Sequence, residues 1–163
     1  MKFIKPSWQK IDGMCGQLAE KVSGFKPDWL VGISRGGLVP VRLLSDHLDV
    51  PRVSVIRIEF YKTIGETRDF PTISQPLQVD VKGKRVLIVD DVADTGRSLA
   101  VAKEHIKRAG AGEVKIAVLH QKPKSMVKPD FCIATTDAWI IYPWEVQETK
   151  RELKNSLKDA IGK

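Results

Sequence analysis

The 163-residue chain has only two cysteines and no hydrophobic run long enough to cross a bilayer. Cys15 and Cys132 are too few and too far apart in sequence for a disulfide framework or a zinc cage. A membrane-spanning helix needs about 20 consecutive apolar residues, and the N-terminal sequence MKFIKPSWQK lacks the apolar core of a signal peptide. These absences predict a cytoplasmic protein that does not insert into a membrane.

The chain also lacks any block of five or six consecutive basic residues, although it is basic as a whole. Its 27 Lys and Arg residues exceed its 20 Asp and Glu residues, which gives a formal net charge of +7. Such a charge is compatible with nucleic acid, an acidic membrane surface or a polyanionic small substrate. Because charges of both signs alternate in the C-terminal tail, a solvated basic surface is favoured over a nucleic-acid interface.

Short apolar runs alternate with amphipathic segments along most of the chain. The apolar runs predict strands over 29–34, 53–60, 86–91 and 114–119, and the helical spacing predicts helices over 7–22, 38–48, 95–109 and 147–161. This alternation predicts an α/β domain built around a mainly parallel sheet flanked by helices. Residues 61–78 contain Gly65, Pro71 and Pro76 without a sustained period, and they are predicted as a loop.

The segment VLIVDDVADTGRSL, residues 86–99, has the strongest chemical pattern. A buried strand delivers Asp90 and Asp91 to its carboxyl end, which is where open α/β sheets bind ligands. The loop 94–98 then leads directly into a helix, so its backbone N–H groups and hydroxyls suit a phosphate. The Asp-Thr-Gly tripeptide also occurs in aspartic proteases, but that fold is all-β, whereas here a helix follows.

This segment resembles the phosphoribosyl-diphosphate signature of type I phosphoribosyltransferases: an apolar strand, two acids and a D-T-G-x-S/T phosphate loop. The resemblance extends over residues 28–146 and implies the type I phosphoribosyltransferase fold with a small hood. It implies one domain over residues 1–163, with a hood formed mainly by residues 124–146 and with an N-terminal contribution. A flexible loop is implied at residues 61–78.

The segment GISRGGLVP, residues 32–40, is similar to the first loop of the 6-oxopurine (xanthine-guanine) branch of that family, which grips pyrophosphate. Glycines at 36 and 37 permit close backbone approach to an anion, and Arg35 offers a fork of donors. Arg68 is the expected basic contributor from the long loop. In that loop many family members have a Ser-Tyr pair, whereas this chain has Phe60-Tyr61.

Two further segments resemble the base-binding parts of the same branch. Lys122 follows the apolar run KIAVLHQ and matches the lysine that donates to purine O6; a lysine has donors only, which favours a carbonyl over an amine. The segment DAWIIYPWE, residues 137–145, is similar to the hood, where Trp139 would stack on the base and the Ile140 backbone would contact its edge.

The resemblance implies purine salvage, in which phosphoribosyl diphosphate and a 6-oxopurine (guanine, hypoxanthine or xanthine) give a nucleoside monophosphate and pyrophosphate. Asp94 is the expected proton-handling residue opposite purine N7. Asp90 and Asp91 are expected to hold the ribose hydroxyls, with Asp91 also contacting the Mg²⁺ cofactor. The other expected phosphoribosyl diphosphate contacts are Arg35, Gly36, Arg68, Asp94 itself, Thr95, Gly96, Arg97 and Ser98.

A homodimer or homotetramer is expected, because enzymes resembling this chain usually form one. Two alternatives stay open. One is a nucleotide-sensing regulator that keeps this fold and binds RNA or DNA, which the net charge of +7 permits. The other is an enzyme that acts on adenine. No helix-turn-helix extension is evident in the sequence, and the presence of both Lys122 and Trp139 for base binding favours an enzyme.

Overall fold

The structure is a computed structural model that describes residues 2–61 and 70–161. Its elements in chain order are β1 (Phe3–Ile4), α1 (Trp8–Val22), β2 (Trp29–Ser34), α2 (Leu38–His47), β3 (Val53–Tyr61), β4 (Phe70–Gln75), β5 (Arg85–Ala93), α3 (Arg97–Arg108), β6 (Glu113–Gln121), β7 (Phe131–Thr135), β8 (Trp139–Ile140) and α4 (Val146–Ile161). Within these described ranges, no helix is both long and apolar enough to cross a membrane.

The main sheet has six strands in the order β4-β3-β2-β5-β6-β7. Every pair is parallel except β3 with β4. The chain leaves β2 toward β3 on one side and leaves β5 toward β6 on the other, although β2 and β5 are neighbours. The carboxyl ends of β2 and β5 therefore form the topological switch point at which open α/β sheets bind ligands.

Helices α2 and α3 cover opposite faces of this sheet. Val31 and Ile33 of β2 belong to the same buried cluster as Ile106 of α3. A Cβ at Gly32, which lies between them, would stand 2.8 Å from Cγ1 of Val41 in α2. Because successive strand residues point to opposite faces, the two helices must lie on different sides. The predicted α/β domain with a mainly parallel sheet is confirmed.

Most predicted elements are present, with one correction in the segment predicted as a loop. Residues 70–75 form β4, which pairs antiparallel with β3 at the edge of the sheet, so Phe60 faces Pro71. Proline lacks an N–H donor but is tolerated in an edge strand, and the pairing overrides the weak local signal. The other part of the predicted flexible loop, residues 62–69, lies outside the described residues.

The chain divides into two compact units. The larger is Met14–Thr136, which contains the six-stranded sheet; the smaller combines Met1–Gly13 with Asp137–Lys163. In the smaller unit β1 pairs parallel with β8, and the Trp139 amide donates to the Lys2 carbonyl over 2.8 Å. The assignment of a hood to residues 124–146 with an N-terminal contribution stays a prediction.

Close packing of α2 on the sheet requires glycine at position 37. A Cβ there would lie 2.5 Å from the Val89 carbonyl oxygen and 2.8 Å from the backbone N and O of Ile33. These are backbone atoms of buried strands, so they cannot move aside as the end of a flexible side chain could. Gly37 therefore sets how closely α2 approaches the end of β2.

We predict that Gly37→Ala destabilises the protein by about 1–3 kcal/mol, the usual cost of overpacking. Gly13→Ala is the matched control: Gly13 lies inside α1 and its added Cβ would meet nothing within 4 Å. That control should gain about 0.5–1 kcal/mol from lower chain entropy. Chemical denaturation measures both. A Gly37→Ala protein as stable as the control would contradict the steric argument.

Candidate functional site

A cavity of about 320 Å³ opens at the carboxyl end of β5. This volume lies at the lower end of the roughly 300–1,000 Å³ typical of ligand pockets. The cavity is lined by Phe60, Asp90, Val92, Asp94, Thr95, Gly96, Arg97, Ser98 and Leu99. The structure thus brings together six residues that the sequence analysis selected, at positions 90 and 94–98.

A larger cavity, of about 650 Å³, lies between the second half of α1 and the end of α2. Its lining includes Lys26 and Pro27, just before β2, and Leu48 and Val50, just before β3. It is therefore at the amino edge of the sheet. Because ligands of open α/β sheets bind at the carboxyl edge, we assign the functional site to the smaller cavity.

The two adjacent acids of β5 face different parts of the site. Asp90 lines the cavity, and its Oδ1 accepts a hydrogen bond from the Asp91 backbone amide at 3.0 Å. Asp91 is only 5% exposed, and its carboxylate lies directly against Gly36, where a Cβ would stand 2.7 Å from Cγ of Asp91. The alternation of side chains along a strand explains this separation.

The loop between β5 and α3 has the features that suit an anion. Gly96 has a φ of 81°, a left-handed conformation that favours glycine, and it directly precedes α3. Because Gly96 has no side chain, the N-cap residue itself makes no side-chain hydrogen bond to the first amides of the helix. The Arg97 amide donates to the Thr95 hydroxyl over 3.4 Å. Backbone amides at a helix N-terminus form a natural phosphate site.

The segment 122–127 is fixed onto this loop by backbone hydrogen bonds. The Lys122 amide donates to the Ala93 carbonyl over 2.9 Å, and the Met126 amide donates to the Thr95 carbonyl over 3.0 Å. A Cβ at Gly96 would stand 2.7 Å from both Oγ of Ser125 and the backbone N of Val127. The two segments therefore form one compact substructure at the end of β5.

Asp94 makes an ion pair with a lysine that the sequence analysis did not select. Nζ of Lys124 lies 2.9 Å from Oδ1 of Asp94, and both side chains are more than half exposed, at 66% and 53%. Exposed pairs of this kind typically contribute about 0–1 kcal/mol. The sequence gives no signal for the pair, because it depends on the backbone contacts that bring segment 122–127 onto the loop.

The first loop, residues 34–37, follows β2 on the other side of the switch point. The Ser34–Arg35 peptide bond is cis, and the Arg35 side chain is exposed. The Gly37 amide donates to the Ile33 carbonyl over 2.8 Å, which closes the turn into α2. Gly36 contacts Asp91, as described above, so this loop and the end of β5 meet through a carboxylate.

The remaining candidate residues do not line this cavity. Lys122 is partly buried beside Ala93. Trp139 and Ile140 form β8 in the smaller unit, where the tryptophan side chain is 50% exposed and the isoleucine is buried. Arg68 lies outside the described residues.

The end of β3 is held by a small polar cluster on one face of the strand. The Tyr61 hydroxyl donates to Oε2 of Glu59 over 3.0 Å, and Arg57 lies 2.8 Å from the other carboxylate oxygen. Hydrogen bonds from Ser74 and Tyr61 lower the pKa of Glu59, and the bond to Glu59 raises the pKa of Tyr61. On the opposite face, Phe60 points into the cavity.

The carboxylates at the end of β5 are compatible with Mg²⁺. Within the part of the chain that the structure describes, no group of three or more His, Cys, Asp or Glu side chains forms a complete metal cage. Mg²⁺ does not require one, because it commonly binds one or two carboxylates together with substrate phosphates and water. Asp91, whose carboxylate lies beside Gly36 of the first loop, could supply one such ligand.

Comparison with known proteins agrees with this geometry. The family model described as "Phosphoribosyl transferase domain" matches residues 3–151. A xanthine-guanine phosphoribosyltransferase of Cereibacter sphaeroides is 32% identical over 89% of this chain and 88% of its own length. The crystal structure of a purine phosphoribosyltransferase from Pyrococcus horikoshii has a TM-score of 0.82 at 43% identity, covering 88% of this chain and 94% of that one.

A second similar structure is that of a hypothetical protein from Neisseria gonorrhoeae with bound ppGpp. It is 27% identical, has a TM-score of 0.76, and covers 93% of this chain and 96% of its own. In each of these three cases the similarity extends over most of both chains. The range matched by the family model, residues 3–151, spans both loops of the switch point and segment 122–127.

We predict that Gly96→Ala disrupts the contact between loop 94–98 and segment 122–127. The substitution is strained by the φ of 81°, and its Cβ would meet Ser125 and Val127 at 2.7–3.0 Å. Strain at such positions costs on the order of 1–3 kcal/mol. Hydrogen exchange should show faster exchange at the Met126 amide than in wild type, whereas Gly13→Ala should leave that amide protected. Unchanged protection in Gly96→Ala would contradict the proposed contact.

Proposed function

Because the chain belongs to the phosphoribosyl transferase domain family, we propose that it transfers the phosphoribosyl group of phosphoribosyl diphosphate to a 6-oxopurine in purine salvage. The products are a nucleoside monophosphate and pyrophosphate. The observation that supports this most directly is the cavity in which Asp90 and loop 94–98 lie together. Carboxylate acceptors beside helix amides and hydroxyls match a sugar that has both hydroxyls and a phosphate.

The proposal places the ribose 5′-phosphate on loop 94–98. The Thr95 and Ser98 hydroxyls, the first amides of α3 and the Arg97 guanidinium supply donors there. Asp90 accepts from the ribose hydroxyls at the mouth of the same cavity. Arg35 and the backbone of Gly36 receive the pyrophosphate on the other side of the switch point. This arrangement places C1′ of the sugar between the two loops.

Asp91 is the residue that would hold Mg²⁺. When bound, this ion neutralises the charge of the leaving pyrophosphate as C1′ gains cationic character. The position of Asp91 against Gly36 supports the assignment, because the carboxylate already lies beside the proposed pyrophosphate loop. Its low exposure of 5% keeps the carboxylate in one place before the substrate arrives.

Asp94 is the proposed proton-handling group for purine N7, and Lys122 the donor to purine O6. Both lie on the substructure formed by loop 94–98 and segment 122–127, so their separation is set by backbone hydrogen bonds. Lys124 is in contact with Asp94 before the base binds. In the smaller unit, Trp139 is the proposed stacking residue and the Ile140 backbone the contact to the base edge.

The direct test mixes the protein with phosphoribosyl diphosphate, Mg²⁺ and each purine separately and measures pyrophosphate release. Release with guanine, hypoxanthine or xanthine is the expected result. A regulator of this fold would bind the nucleotide without turnover and would show a salt-dependent affinity for nucleic acid. The related Neisseria structure with ppGpp makes that nucleotide a useful second ligand. Release of pyrophosphate with adenine alone would overturn the 6-oxopurine assignment.

We predict that Asp94→Asn slows turnover by roughly 10²–10⁴-fold, the usual contribution of a positioned acid or base. The affinity for phosphoribosyl diphosphate should stay close to wild type, because the loop backbone and hydroxyls are unchanged. Loss of the exposed pair with Lys124 should change the free energy of unfolding by no more than about 1 kcal/mol. Steady-state kinetics and calorimetry separate these effects.

Asp46→Asn is the matched control for that substitution, because Asp46 is 78% exposed and lies on α2. It should leave turnover unchanged. An Asp94→Asn enzyme with a kcat close to wild type would remove Asp94 from the chemistry.

The choice of base gives a second prediction. A 6-oxopurine completes a charge-assisted hydrogen bond with Lys122 that the amine of adenine cannot, and such bonds contribute roughly 1.5–3 kcal/mol. Lys122→Ala should therefore lower the ratio of kcat/KM for guanine to kcat/KM for adenine by roughly 10–150-fold. Trp139→Ala should weaken the binding of all purines to the same extent, since every base has a π-face that can stack on the indole ring.

Measuring kcat/KM for guanine, hypoxanthine, xanthine and adenine on both variants separates the two roles. If Lys122→Ala keeps the wild-type preference among bases, Lys122 does not donate a hydrogen bond to purine O6. The proposed transferase activity would not be contradicted by that result.

A further inference from the structure

Phe60 contacts the proposed phosphate loop. Its ring lies beneath the Arg97 guanidinium, with the guanidinium carbon 5.4 Å from the ring centroid. A cation over an aromatic ring within about 6 Å of the centroid is attracted by the ring quadrupole. Both side chains line the cavity that holds Asp90 and loop 94–98.

The pairing of the strands explains how Phe60 reaches a loop on the other side of β2. The last residue of β3 paired with β2 is Arg57, which faces Ser34. Beyond that point β3 pairs only with β4 among the described strands, and Phe60 faces Pro71 there. The end of β3 therefore extends past the carboxyl end of β2, over the switch point.

The direction of the Phe60 side chain follows from its neighbours along the strand. Ile58, two residues earlier, is buried in the cluster that contains Leu99 and Ile106 of α3. Phe60 shares that face of β3, because side chains alternate along a strand. Glu59 and Tyr61 point to the opposite face, where they are joined by a hydrogen bond of 3.0 Å. The ring is thereby directed toward the N-terminus of α3.

We propose that Phe60 is a positioning residue for the phosphoribosyl diphosphate subsite, which it serves by holding the Arg97 guanidinium at the phosphate loop. This proposal rests on the proposed function. An arginine side chain loses considerable rotamer entropy when it binds a ligand. A ring that already holds the planar guanidinium group in place reduces this loss on binding. A serine at position 60 has no ring face with which to do this.

A four-way comparison tests the proposal: wild type, Phe60→Leu, Arg97→Met and the double variant. Leucine keeps apolar bulk but has no quadrupole, and methionine keeps side-chain length but has no charge. Calorimetry with phosphoribosyl diphosphate and Mg²⁺ gives the Kd, and steady-state pyrophosphate release gives kcat and both KM values. Arg108→Met, which removes a charge from the last turn of the same helix, is the matched control.

Phe60→Leu should raise the Kd for phosphoribosyl diphosphate about two- to fivefold, the value of an exposed cation–π contact. It should leave kcat and the KM for the purine at wild-type values. In the Arg97→Met background the same substitution should have no further effect, because the ring would have no cation to hold. Arg108→Met should match wild type. Phe60→Trp should bind phosphoribosyl diphosphate at least as tightly as wild type, since tryptophan is the strongest aromatic partner for a cation.

Additive effects of the two substitutions, or equal losses of purine and phosphoribosyl diphosphate affinity in Phe60→Leu, would overturn the proposal. If Phe60→Leu does not fold, the comparison of Phe60→Trp with wild type tests the proposal instead. Weaker binding of phosphoribosyl diphosphate by Phe60→Trp would then contradict it. If wild type binds phosphoribosyl diphosphate without turnover, the proposed function is refuted. The proposed role of Phe60 is still tested in that case, because it is judged from the Kd values. A wild-type protein that does not bind phosphoribosyl diphosphate would refute both.

Discussion

The parallel pairing of β2 with β5 is the constraint on which the rest of the site depends. These two strands are neighbours from the Trp29–Val86 pair to the Gly32–Val89 pair, yet the chain leaves them in opposite directions. The loops that follow them therefore diverge and leave a crevice at the carboxyl edge of the sheet. Because α2 begins directly after the first loop, it must pack tightly on the sheet, and this packing requires glycine at position 37.

A second set of contacts joins the loop after β5 to the loop after β6. Strands β5 and β6 pair along almost their whole length, so both loops emerge side by side. Two backbone hydrogen bonds, from the amides of Lys122 and Met126, then join segment 122–127 to residues 93–95. Backbone contacts of this kind do not depend on side-chain identity. The proposed phosphate loop and the lysine proposed to bind purine O6 are thus held in place by the same backbone hydrogen bonds.

The sequence predicted the central part of the fold well, because β2 is a short apolar run followed by the Gly36-Gly37 turn and β5 contains the apolar run 86–89. It did not predict β4, whose prolines weaken the local pattern and whose pairing with β3 exists only in the assembled sheet. The two-residue strands β1 and β8 are too short to show any period. For the site, the motif at 94–98 could be predicted from the sequence. The contact of Phe60 with Arg97 could not, because it joins residues far apart in sequence and depends on the order of the strands in the sheet.

The adjacent acids of β5 show why strand geometry matters for the chemistry. Two neighbouring carboxylates in one pocket would repel each other and oppose ionisation. On a strand they point to opposite faces, so Asp90 faces the cavity beside α3 while Asp91 faces the first loop. The Asp91 carboxylate occupies the space in which a side chain at position 36 would have to lie. A side chain at position 36 would therefore displace the Asp91 carboxylate, so glycine at this position leaves that carboxylate beside the first loop.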